Sequence, residues 1–132
     1  MSKDWVADIF RMHKHYGVHK VVDSLDNEML HKFLEFRYSF LDEEMKELRS
    51  AENADDAVDA LIDLCVVAIG TLDAMNVDAH AAWDAVHQAN MNKQVGIKES
   101  RPNPLGLPDL IKPEGWVAPS HENNLGYFKK VY

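Results

Sequence analysis

A chain of 132 residues is long enough for one domain with one modest core, and an apolar content of 46% is enough to fold it. A formal net charge of -8 excludes the basic surface that grips DNA or RNA by its phosphates. It leaves room for a small anion such as a nucleotide, provided metal ions bridge the repulsion. The one cysteine, Cys65, cannot form an internal disulfide and fits a reducing compartment. No signal peptide pattern is present and the longest apolar run, LCVVAIG, is too short to span a bilayer, so a soluble cytoplasmic protein with no membrane partner is expected.

In chain order, WVADIFRMH carries apolar residues at helical spacing and predicts a short first helix. YGVHKVVD is expected to be a connector, with Gly17 breaking the pattern. Ser24 or Asp26 can cap a long second helix running to about Ser50. Asn53 or Asp55 caps a third, which ends near Asn76, a residue that tolerates the left-handed conformation. Asp78 caps a fourth, AHAAWDAVHQANMNK. From about Val95 the character changes, and RPNPLGLPDLIKPEGWVAP holds all five prolines. No alternating strand pattern stands out. The expectation is an all-α four-helix bundle, one domain over residues 1–132, with its core at about 4–94 and an irregular Pro/Gly-rich tail wrapping it from about 95.

The segment LDEEMKEL, residues 41–48, places acids where a helix wants leucine. Leu30, Leu34, Arg37, Leu41, Glu44 and Leu48 recur every three or four residues and define a buried stripe. Arg37 and Glu44 interrupt it, and Glu43 and Glu47 flank Glu44 on one side. The third helix, ALIDLCVVAIGTL, is apolar nearly all round, which predicts a central buried helix. Asp63 is its one charge, and Asp59 lies one turn earlier on the same face. An isolated ionised carboxylate there costs roughly several kcal/mol unless it is paired or metal-bound. Inward carboxylates from two helices form an oxygen-rich cage suited to hard divalent ions, Mg²⁺ or Mn²⁺, and no Cys/His cluster at zinc spacing competes. Taken alone, EEMKE is more simply a solvated helix face, and Arg37 can neutralise Glu44 in an ion pair without chemistry. Asp63 tips the balance, because a surface explanation fails there.

EExxE on one helix followed by an acidic pair on the next resembles the all-α nucleoside triphosphate pyrophosphatases. These are the MazG-like proteins, the dimeric dUTPases and the phosphoribosyl-ATP pyrophosphohydrolases. Here the first motif is EEMKE, Glu43 to Glu47, and the second lies within VDALIDLCVVAIGTLDAMNVD. HQANMNK and KPEGW resemble the small phage-type members, in particular the MazG-like dGTP pyrophosphatases of phages that use 2-aminoadenine. One departure stands out. Many members carry ExxD in the second motif, but the residue three before Asp63 is Ala60 and the acid is Asp59, so Asp63 carries over and Asp59 is a ligand or a second-layer group.

The resemblance implies hydrolysis between the α and β phosphates of a (d)NTP, dGTP or GTP first, to a monophosphate and pyrophosphate. It implies two or more Mg²⁺ or Mn²⁺ ions held by Glu43, Glu44, Glu47, Asp63 and Asp59, with Glu43 or Glu44 as the general base. Arg37, Asn90, Lys93 and Lys98 are the expected substrate contacts, with Arg101 a weaker one. Against this, Asn90 and Lys93 also suit an ordinary helix end. The alternatives are a phosphoribosyl-ATP or pyrimidine dNTP pyrophosphohydrolase, a di-iron carboxylate four-helix protein suggested by EMLH, Glu28 to His31, with DAVH, Asp84 to His87, a poor second copy, and a non-catalytic nucleotide-binding module. The seven histidines look scattered, although His13, His15 and His19 sit near a turn where they can line a base pocket. Trp5, Trp83 and Trp116 can stack on a base but more often anchor a core. Gly70 inside the third helix marks close packing. Because that helix needs more apolar cover than its neighbours supply, a dimer or a dimer of dimers is expected, with the tetramer favoured.

Overall fold

The Asp4 carboxylate accepts a hydrogen bond from the Ala7 N–H at 3.0 Å and starts α1, Trp5–His15. The computed structural model describes residues 1–101 and 103–132; Pro102, one of the five tail prolines, lies outside the described residues. Gly17, at φ +75°, turns the chain into a second helix, α2, Val18–Asp23. The connector expected there is thus helical. Val18 and Val22 fall one turn apart and both join the core, a tertiary contact that outweighs the weak helix propensity of a six-residue segment. Asp26 caps α3, Asn27–Arg49, by accepting from the Met29 N–H at 2.8 Å, while Ser24 ends α2. Asn53 caps α4, Ala54–Ala74, by accepting from the Asp56 N–H at 2.8 Å. Asn76 takes the left-handed conformation at φ 59° just after it. α5 spans Ala79–Met91. Among the described residues there are five α-helices rather than four, within the expected all-α class.

The chain forms two compact units. The first comprises Met1–Ala79 together with Asn124–Tyr132, and the second comprises His80–Asn123. No helix is long and apolar enough to cross a membrane among the described residues.

In the first unit every member of the predicted α3 stripe is buried or half-buried, whereas Glu43 and Glu47 beside it are exposed. Leu30 and Leu34 meet Val22, Ala74 and Met75 in the core. Leu34→Ala is expected to cost about 2–5 kcal/mol, the range for a buried leucine that leaves a cavity; chemical denaturation measures it. The end of the chain closes this core. Gly126 brings its backbone against the Met75 carbonyl so closely that a Cβ there would collide with it. The Tyr127 N–H then donates to the Met75 carbonyl at 2.7 Å, and Phe128, in a 3-10 helix at Gly126–Lys130, and Val131, just after it, pack against this core. The Tyr127 hydroxyl donates to Asp23 at 2.6 Å, and Tyr38 and Tyr132 join hydroxyls at 2.9 Å.

α4 departs from its expected burial. It packs on α3 and α1, but Val58, Leu61 and Ile62 remain 62%, 51% and 44% exposed in the single chain. Its neighbouring helices cover only part of a helix that is apolar almost all round.

In the second unit two short strands pair antiparallel, β1, Gln94–Gly96, with β2, Asp109–Ile111. Three residues per strand are too few to show an alternating pattern in the sequence. Buried Asp109 anchors the pair: it takes an ion pair from Arg101 and backbone N–H bonds from Lys98 and Leu110. The Arg101 hydrogen bond, above all, holds its carboxyl below the usual aspartate range. Trp116 donates its indole N–H to the Ala89 carbonyl at 2.8 Å, which makes it a packing anchor.

Candidate active site

A short turn between Arg49 and Ala54 joins α3 to α4, so an acid on the α3 stripe can meet one on α4. Glu44 is the centre of that meeting. Its carboxyl is pushed up from the ordinary glutamate range, first by desolvation, then by the charges of Glu47 and Asp63, by a hydrogen bond with Glu47 and by Glu43. Its Oε2 is shut off from solvent and has no hydrogen-bond partner. A buried carboxylate oxygen without a donor is a costly arrangement in an isolated protein. Glu43, Glu44, Glu47 and Asp63 are therefore brought into one field. Asp59, one turn before Asp63, is exposed and is not among the groups acting on Glu44.

Arg37 lies two turns before Glu44 on the same stripe, yet its guanidinium turns to α4. Nε donates to Thr71 Oγ1 and Nη2 to the Val67 carbonyl, both at 3.0 Å, and the charge lies 5.5 Å from the Phe40 ring centroid. Burial lowers its pKa. Gly70 makes room for this: a Cβ there would lie 2.7 Å from Arg37 Nη2 and 3.2 Å from His13 Cε1. Gly70→Ala is expected to change stability by no more than about 1 kcal/mol, since the gain in helix propensity offsets the bond lost as the flexible arginine end moves aside. Thermal unfolding measures the balance, and a shifted Arg37 Nε–H resonance reports the displacement.

The remaining expected substrate contacts belong to the second unit. Asn90 is exposed. Lys93 places its ammonium 5.3 Å from the Trp116 ring centroid, and Lys112 sits 5.1 Å from the same centroid. The Lys98 backbone N–H donates to Asp109 at 3.2 Å, and Arg101 is tied to Asp109 by its side chain. Lys93 and Lys112 thus flank the Trp116 indole of KPEGW, while Trp5 and Trp83 are exposed. Glu28 is an exposed acid paired with Lys32 at 3.6 Å, and His31 is exposed, so the Glu-x-x-His element faces solvent. Asp84 and His87 are exposed as well.

One constellation escaped the sequence. His13 Nδ1 lies 2.7 Å and His19 Nε2 2.6 Å from the same oxygen of Asp73, Oδ2. Their spacing across Gly17 hinted that the two histidines share a corner, but Asp73 is too distant in the chain for any local pattern. His15 instead packs edge-on against Tyr16.

Among known proteins, a family model described as phosphoribosyl-ATP pyrophosphohydrolase matches residues 18–90, more than half of the chain. The match runs from α2 into α5 and includes all four clustered carboxylates, Asp59, Arg37 and Asn90; α1, Lys93 and Lys98 fall outside it. Neither a curated protein nor a solved structure matches the chain.

Proposed function

The chain belongs to the phosphoribosyl-ATP pyrophosphohydrolase family, and from that premise we propose that it hydrolyses a purine nucleoside triphosphate, dGTP or GTP, to the monophosphate and pyrophosphate. Its general class is that of the family: a hydrolase acting on phosphoanhydride bonds of nucleotide substrates. The observation that carries the proposal is Glu44, whose buried, unpartnered Oε2 lies in a field of three further carboxylates. That donor set is all oxygen, which fits Mg²⁺ or Mn²⁺. Glu43, Glu44, Glu47 and Asp63 would hold the ions, two or more per site, with Asp59 a ligand or a support from the turn before.

When bound, such ions offset the charge of a triphosphate and lower the pKa of a water molecule. The chain's own part is to hold the proton. Glu43 or Glu44 accepts it from the attacking water as the water reaches the α-phosphorus. Desolvation around Glu44 strengthens each electrostatic contact made there. Arg37, braced on Val67 and Thr71, fixes the α3–α4 spacing on which the carboxylate cluster depends. The bare α4 face of Val58, Leu61 and Ile62 supports self-association as a dimer or a dimer of dimers; a monomer by light scattering would contradict that part.

The choice of guanine rests on the resemblance of HQANMNK and KPEGW to the phage-type members and on no derived contact. The family's own description favours phosphoribosyl-ATP as the second reading. Initial rates of pyrophosphate release from each common ribo- and deoxyribonucleoside triphosphate, and from phosphoribosyl-ATP, separate them. The proposal expects guanine nucleotides to lead. Preference for phosphoribosyl-ATP or for a pyrimidine dNTP would keep the chemistry and reject the guanine assignment.

A further inference from the structure

Three helices of the first unit each deliver one metal-ligating side chain to a single point: His13 from the last turn of α1, His19 from the start of α2 and Asp73 from the last turn of α4. One donor atom from each lies within 4.8 Å of the other two. The His13 and Asp73 side chains are 7% and 10% exposed, and His19 is 24% exposed, so the cluster is closed behind and reached from solvent beside His19. The rings are held in place. Phe10 packs 4.9 Å from His19, and the two imidazoles meet edge-on at 81°. No carboxylate of the proposed active site takes part.

We propose that His13 Nδ1, His19 Nε2 and the Asp73 carboxylate form a second cation site, selective for a d-block divalent ion of the zinc class. Two imidazoles and one carboxylate form a borderline donor set that Mg²⁺ and Ca²⁺ do not favour. Three protein ligands leave a fourth position for water. At Zn–N and Zn–O distances of about 2.0–2.1 Å, tetrahedral ligands stand roughly 3.3 Å apart. Asp73 therefore has to retreat slightly from each ring or present its second oxygen, a side-chain rotation at the end of a helix. The position also suits a cation electrostatically. α4 has no basic residue in its last turn to balance the negative end of its dipole. A bound ion tethers the α1–Gly17–α2 corner to the end of α4, which predicts a gain in stability.

The test uses the metal-stripped full chain in excess Mg²⁺, which competes for the carboxylate cluster. One equivalent of Zn²⁺ is expected to shift the imidazole ¹⁵N resonances of two of the seven histidines, at Nδ1 of one and Nε2 of the other, and to raise the Tm. Loss even of a group that merely supports a ligand costs about 10–100-fold in metal affinity. His19→Ala and Asp73→Asn are each expected to lose at least that much, while Glu44→Gln keeps the site. Asp73→Asn retains an oxygen acceptor for the rings and serves if His19→Ala does not fold. Imidazole signals unmoved by stoichiometric Zn²⁺ would overturn the proposal and leave a hydrogen-bonded triad only. So would Zn²⁺ binding that survives His19→Ala and disappears in Glu44→Gln.

Discussion

Glu44→Gln is expected to lower pyrophosphate release by about 10²–10⁴-fold, the range for losing a positioned proton-transfer group, and to leave the fold intact. The substitution keeps the shape of the side chain and removes its charge. Glu44 Oε2 is the buried oxygen without a donor, so the native carboxylate is poorly accommodated until a cation meets it. An amide in its place also relieves repulsion from Glu47, Asp63 and Glu43. The variant should therefore unfold at the same temperature as the native protein or a higher one. This combination separates a functional carboxylate from a structural one. A residue needed for packing would lower both quantities, and a surface acid would change neither. Steady-state rates and circular dichroism melts on the same sample decide it. Full activity in Glu44→Gln would remove Glu44 from the site.

In the presence of a chelator, the native protein is expected to lose stability as pH rises through the raised folded-state pKa of Glu44. The Glu44 carboxyl is raised in the folded state, chiefly by desolvation, whereas in the unfolded chain it titrates near about 4.3. Between those two values the folded protein holds the extra proton. Stability then falls with rising pH, because the unfolded state binds fewer protons. The contribution is whole below the unfolded value and is gone once pH passes the raised folded value. Asp109 has the opposite sign: its lowered carboxyl adds stability above about pH 3.9, lost as pH falls through its folded value. Saturating Mg²⁺ should suppress the Glu44 effect by competing with the proton. Melts from acid to neutral pH in EDTA, in Mg²⁺ and for Glu44→Gln measure it. The variant should flatten the EDTA slope; the same slope in both proteins would assign the effect to another group.

The parts that were legible in the sequence are those governed by local periodicity. The stripe from Leu30 to Leu48 has the burial its spacing requires. Asp26 and Asn53 cap the helices as their chemistry suggests, and Asn76 ends α4 in the left-handed region. Glu44 stood out because it interrupts an apolar stripe, and Asp63 because an acid in an apolar helix has no surface explanation. What stayed hidden depends on distant contacts. α2 is helical because Val22 reaches the core. The end of the chain gave no periodic sign that Tyr127 and Phe128 would close that core. His13 and His19 meet Asp73 only after α4 has folded across α1 and α2, a relation that no local spacing encodes.

The most direct test follows ³¹P resonances while the protein acts on dGTP or GTP, first with Mg²⁺ and then with EDTA in excess. Inorganic pyrophosphate and the nucleoside monophosphate are expected to appear together, in equal amounts, and the chelator to stop both. Release of orthophosphate in place of pyrophosphate, or hydrolysis that continues at full rate in the chelator, would contradict the proposed reaction.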